Sequence, residues 1–140
     1  AAADRSVLYT SEPCIFSCSL AQQFQGGHSF PGVEMTMELA VKGKLPFTAS
    51  EMAAIWNQRQ FQGGPMLFGP RASYERVMRV LFDCLWPVWE EYKYQIMTLQ
   101  GYDQRAMAFL SERLLSGIVL YKDKFFGNMP MSCAHLGFIN

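Results

Sequence analysis

Two carboxylates, Asp103 and Glu112, fall in one stretch, Tyr102-Asp103-Gln104 followed by Phe109-Leu110-Ser111-Glu112-Arg113-Leu114. Glu112 lies beside a long apolar stripe. A carboxylate partly withdrawn from water holds its proton more tightly, which suits general-base work. The same residue also reads as half of a helix-surface ion pair with Arg113. Asp103 and Gln104 put a carboxylate and an amide side by side, groups that grip sugar hydroxyls through paired hydrogen bonds. Asp103 reads as a helix N-cap too, which leaves Gln104 unexplained.

Gly63 and Gly64 would let a ligand approach the backbone closely. They also suit the end of a helix and the turn after it. No Lys-Ser/Thr follows them, so they are not a phosphate-cradling loop. The two histidines are His28 and His135. His135, in Cys133-Ala134-His135, is a candidate metal ligand without a carboxylate cluster nearby, and His28 reads as a loop residue. No Gly-x-Ser-x-Gly elbow marks a serine nucleophile. Trp56, Trp86 and Trp89 read as core or rim rather than as a sugar-stacking platform.

Composition bounds the alternatives. The 140 residues carry 12 basic and 12 acidic side chains, and half of the chain is apolar. That length fits one domain, 1–140, with a core of its own. The balanced charge has no basic cluster, so a nucleic-acid surface is not expected. No run approaches the ~18 apolar residues of a membrane span. Val77 to Trp89, the most apolar stretch, is broken by Arg79, Asp83 and Pro87. No charged n-region precedes an apolar h-region, so no signal peptide is expected. Cys14 and Cys18 are spaced C-x3-C with no second close pair to complete a zinc site. Cys84 reads as a buried thiol. The even cysteine count permits a disulfide without naming a pair, and the compartment stays open.

The elements that must position these residues follow from pattern. Val7-Leu8-Tyr9 is β-prone and is stopped by Ser11, Glu12 and Pro13. Gln22 to Gly32 is polar and glycine-rich and reads as a surface loop. From Val33 to Val41 apolar residues alternate with polar ones, a strand signal. Thr48-Ala49-Ser50-Glu51 is a capping box with Phe47 and Met52 at the staple positions, so a helix is expected from Ala49 to Gln60. Met66-Leu67-Phe68 is a short strand closed by Gly69-Pro70. Tyr74, Val77, Met78, Leu81, Phe82 and Leu85 trace one helical face, and Pro87 should kink or end that helix. Gly101-Tyr102-Asp103 starts a last helix, with Asp103 as its N-cap, Met107, Leu110, Leu114, Ile118 and Tyr121 as its buried stripe and Arg113 off it. Residues 127–140 read as an irregular tail. The expected fold is α/β or α+β, a small mixed sheet covered by about three helices.

Three segments in order carry a family resemblance. Val7-Leu8-Tyr9-Thr10-Ser11-Glu12-Pro13-Cys14 resembles the "VLFSAE…C" strand of collagen hydroxylysine glycosyltransferases, which are of the GT-A type. Phe61-Gln62-Gly63-Gly64-Pro65-Met66-Leu67-Phe68-Gly69 resembles their "LNSGG-x-IG" segment, and Tyr102-Asp103-Gln104 their "DDQ". Tyr102 to Leu115 is also similar to small bacterial capsule-type glycosyltransferases. The likeness covers roughly Val7 to Tyr121 and implies the second, acceptor-side half of a GT-A domain. It implies that Gly63, Gly64 and Gln104 bind substrate and that Asp103 or Glu112 assists the acceptor hydroxyl. It also implies a nucleotide-sugar donor with Mn2+, whose metal would neutralise the leaving diphosphate. This chain departs from the pattern at Gln62, which stands for Asn-Ser, and at Tyr102, which stands for the first Asp. The metal-binding Asp-x-Asp belongs upstream of Val7 and occurs nowhere in the chain. The metal ligands are therefore expected from a missing N-terminal half or a protein partner.

Two functions from different classes follow. The first is a glycosyltransferase-like domain supplying the acceptor side of a sugar-transfer site. The second is a non-catalytic structural or linker subunit of a larger assembly, which would expose an apolar patch. A thiol-dependent activity of Cys14 and Cys18 is disfavoured, because their spacing is not C-x-x-C.

Overall fold

The computed structural model describes residues 4–62 and 66–134. It is mixed α/β, a small sheet with helices around it. The Val7–Tyr9 run becomes β1 (Leu8–Ser11), the middle strand of three. The cysteine-bearing pair β2 (Cys14–Ile15) and β3 (Gln60–Phe61) forms a separate antiparallel ladder. β1 pairs antiparallel with β4 (Leu67–Phe68) and parallel with β5 (Met131–Ala134), Leu8 facing Met131 and Ser11 facing Ala134. Gly69 has φ +151°, and a Cβ there would lie 2.6 Å from the Val7 carbonyl oxygen. Only glycine lets the chain leave β4 so close to β1.

Residues 131–134 of the expected irregular tail are thus a strand, and His135 lies outside the described residues. The expected loop 22–32 is also corrected. Residues up to 27 belong to α1 (Leu20–Gly27), which opens on a capping box between Ser19 and Gln22 and buries Leu20 and Phe24. Reciprocal capping and an i, i+4 apolar pair outweigh the glycines at the helix end.

The strand expected over Val33–Val41 is a helix, α2 (Gly32–Val41). Met, Glu, Leu and Ala are strong helix formers, and none of them is among the β-branched or aromatic residues that favour strands. Its core face is Met35, Thr36, Leu39 and Ala40, with Val41 72% exposed. Alternation would have put Val41 inside and Thr36 outside. Instead Thr36 Oγ1 donates to the Gly32 carbonyl at 2.8 Å and accepts from Trp56 Nε1 at 2.8 Å.

The capping box at Thr48 and Glu51 forms as expected and starts α3 (Ala49–Asn57), with Phe47 and Met52 both buried. α4 (Arg71–Met97) passes through Pro87 without ending. Proline already has a helical φ and forfeits one backbone hydrogen bond. The stripe Val77, Leu81, Cys84, Val88, Tyr92 and Ile96 stays buried on both sides of it. The face expected from sequence is rotated, because Tyr74 and Phe82 are exposed.

A 3-10 turn (Gly101–Arg105) leads into α5 (Ala106–Leu120), and α6 (Lys122–Phe126) follows. Asp103 therefore sits inside the turn and is not the N-cap of α5. Residues 113–118 of α5 are all buried, so this helix is the central one, packed on α3, α4 and β3. A Cβ on Gly117 would meet Ile55 Cδ1 at 2.6 Å, which is how α3 and α5 come so close.

Candidate functional site

The chemistry-bearing residues gather where the end of α1, the 3-10 turn and the middle of α5 meet. Asp103 reaches from the turn to the end of α1. Its Oδ2 accepts from the Ser29 hydroxyl and, at 3.4 Å, from the Ser29 N–H. Its Oδ1 lies 3.6 Å from His28 Nδ1. Hydrogen bonding from the Ser29 side chain holds the Asp103 carboxyl below the usual range, against the opposing effect of burial. Asp103 is thus ionised at neutral pH and, with about four acceptor positions on a carboxylate, keeps room for a ligand hydroxyl.

His28 lies just past α1, in the connecting loop as expected, but its side chain packs inward. Its side chain is 6% exposed and stacks on Phe109 at 4.3 Å, with Phe24 at 4.8 Å and Tyr102 at 5.8 Å. Ser29 donates to Asp103 rather than to His28, so these three residues do not form a nucleophilic relay, in which imidazole would take the hydroxyl proton.

Arg113 is buried where its place in the sequence pattern put it at the surface. It is 3% exposed, not off the buried stripe. Its guanidinium lies between the rings of Phe24 and Phe61, 5.2 and 4.8 Å from their centroids. Nη1 donates to the Phe109 carbonyl at 2.9 Å and Nη2 to Gln23 Oε1 at 2.6 Å. Desolvation lowers its pKa, opposed mainly by the charge of Glu112. A guanidinium stays protonated through such a shift.

Glu112 is 28% exposed on its side chain, and its Oε2 accepts from Arg113 Nη1 at 3.2 Å. One carboxylate oxygen is therefore fixed by a buried cation, while no hydrogen bond to Oε1 is made among the described residues. The ion pair expected on the helix surface exists, but its cation is in the core. One turn further along α5, Ser116 Oγ accepts from the backbone N–H of buried Gln62 at 2.9 Å. That bond fixes the chain just before Gly63. Gly63 and Gly64 themselves lie outside the described residues.

Contacts thus run unbroken from Asp103 through His28, Phe24 and Arg113 to Glu112. Gln104 is exposed on the same turn as Asp103. Among the described residues no three of His, Cys, Asp or Glu converge to hold a metal. Cys14, Cys18, Cys84 and Cys133 are free thiols, and burial raises the pKa of Cys84. No helix among the described residues is long and apolar enough to cross a membrane.

An aligned signal existed for part of this corner. Ser19-x-x-Gln22 has the capping-box spacing that would have placed Gln23, Phe24 and His28 on a helix and its end. Nothing local marks Arg113 as buried, because the rings that enclose it come from α1 and β3.

The fold and its polar corner define a mixed α/β domain. The chain belongs to the family described as Domain of unknown function (DUF4422), which matches residues 3–123. No curated protein and no solved structure matches it.

Proposed function

We propose that this chain is a glycosyltransferase-like domain contributing the acceptor side of a sugar-transfer site. What supports the reading is one observation: the carboxylates of Asp103 and Glu112 are each fixed by a hydrogen bond, from Ser29 and from Arg113, and are joined through the side chains of His28, Phe24 and Arg113. In this reading Glu112 Oε1 takes the proton of the acceptor hydroxyl. The acceptor oxygen bonds the anomeric carbon of the donor, and the bond from that carbon to the leaving diphosphate breaks. Asp103 and Gln104 hold neighbouring hydroxyls. The nucleotide sugar and Mn2+ are held by groups outside this corner.

The test is calorimetric titration with nucleotide sugars and Mn2+, then with mono- and oligosaccharide acceptors. The expected result is saturable sugar binding that Asp103→Asn and Gln104→Ala abolish while circular dichroism is unchanged. Binding indifferent to both substitutions, or no sugar bound by the folded chain, would sink the assignment. The second reading, a non-catalytic subunit of an assembly, is favoured by a different observation: Phe82 and Trp86 stand 56% and 59% exposed on α4.

A further inference from the structure

The outward side of α4 carries a second pattern besides its core stripe. Glu75, Arg79, Phe82, Trp86, Trp89 and Lys93 are spaced four, three, four, three and four residues apart. That is the 3-4 spacing of a helix–helix seam. It faces away from the core stripe Val77, Leu81, Cys84 and Val88. Glu75, Arg79, Phe82 and Trp86 are exposed, and Trp89 and Lys93 are half-buried at the seam's edge. Over this span the helix is about 27 Å long at 1.5 Å per residue.

We propose that this face binds a second copy of the same chain, α4 against α4, antiparallel about a two-fold axis near Cys84. The argument is self-complementarity. Run antiparallel about that position, Phe82 meets Trp86 of the second copy, and Trp86 meets its Phe82. Arg79 then lies over Trp89 of the second copy, a cation facing an aromatic ring. Glu75 lies opposite Lys93 of the second copy, and each contact occurs twice because the interface is isologous. A parallel arrangement would set Glu75 against Glu75 and Arg79 against Arg79. The present contacts of these charges are weak competitors. Glu75 accepts from Arg71 at 2.7 Å on the exposed surface, and Lys93 Nζ sits 5.5 Å from the Tyr94 ring. Exposed pairs of this kind contribute little.

A single helix pair is a small interface, since stable dimers bury about 1,200 Å² or more in total. The dimer is therefore concentration-dependent. The inference stands apart from the sugar-transfer reading and names one partner for the subunit reading, so mass measurements and sugar titrations fail separately.

The test is sedimentation velocity on the purified chain from micromolar to millimolar concentration. The expected result is a reversible monomer–dimer equilibrium, abolished in the double variant Phe82→Ser, Trp86→Ser with unchanged melting. Glu75→Lys and Lys93→Glu alone each weaken association by roughly tenfold, because attraction becomes repulsion at two symmetric places. Combined in one chain, they restore it. Within one monomer these two residues are too far apart along α4 to pair, so rescue requires the antiparallel copy. A monomer at every concentration, a dimer that survives the aromatic double variant, or failure of the combined charge swap would each overturn the proposal. So would a monomer that instead captures an unrelated protein through the same residues.

Discussion

The corner between α1 and α5 and the outward face of α4 break opposite rules. At the corner, polar groups are buried: Arg113 is 3% exposed and the His28 side chain 6%. On α4, large aromatic groups are left in water. Folding alone favours neither arrangement, because burying a charge costs desolvation and exposing an aromatic ring forgoes hydrophobic gain. The corner offsets part of that cost with the bonds of Arg113 to Phe109 and Gln23, while His28 Nδ1 and Arg113 Nε stay buried without a hydrogen-bond partner among the described residues. The face of α4 has no such offset among the described residues, and the dimer proposed above would cover it. Corner substitutions should therefore act on stability, and substitutions on α4 should act on association.

The largest expected effect is Arg113→Ala. It removes a large side chain packed between two rings and leaves Gln23 Oε1 without its donor, which should cost about 2–5 kcal/mol. Urea denaturation reads this directly, and a loss below about 1 kcal/mol would erase the contrast between the regions. Arg113→Met keeps much of the packing and should lose less. Its deficit relative to Ala separates packing from polar bonds.

Ser116→Ala comes next. It leaves the buried Gln62 N–H without its acceptor, a cost of about 1–3 kcal/mol. Amide exchange at Gln62 should accelerate more than at Leu114, and equal protection of both amides would show that the hydroxyl does not hold this segment.

Asp103→Asn should change the pH dependence of stability. The folded pKa of Asp103 is depressed, so the folded state binds fewer protons than the unfolded one. Its stabilisation is complete above the unfolded value of about 3.9 and is lost as pH falls through the folded value. Glu38 and Glu51 are also depressed, chiefly by hydrogen bonds from Tyr92 and Lys124, and add to the same acid limb. Urea midpoints measured from pH 6 downward should fall less steeply in Asp103→Asn than in the parent. Superimposable curves would remove the Ser29–Asp103 bond from the account of this corner.

The smallest effect on stability belongs to Phe82→Ser or Trp86→Ser, each within about 0.5 kcal/mol of the parent at a dilution where the chain is monomeric. A larger loss in thermal melts would mean that the rings serve the fold after all.

What the sequence made legible follows the same division. The Thr48–Glu51 box, the strands at Leu8 and Leu67, and the stripe Leu110, Leu114, Ile118 were readable because each is decided by neighbours within a turn or two. α2 was misread because nine residues of alternation also fit a helix when the residues are Met, Glu, Leu and Ala, and only Trp56 reveals that Thr36 faces inward. Of the corner, Asp103 and Glu112 stood out by residue type. The roles of His28 and Arg113 did not, since burial there is conferred by Phe24, Phe61 and Phe109 together. Pro87 was a true local signal, but it does not end α4, whose core stripe packs on both sides of it.

The parallel pairing of β1 with β5 joins positions 123 residues apart. During synthesis the middle strand of the sheet leaves the ribosome with both edges unpaired; one can pair once Phe68 has been made, the other only after Ala134. Closing so long a loop costs entropy that grows with the logarithm of its length, and contacts of such separation slow folding. The helices around α5 can assemble first. The β1–β5 edge is then expected to be completed late, and while open it is where a nascent chain is exposed to pairing with the wrong strand.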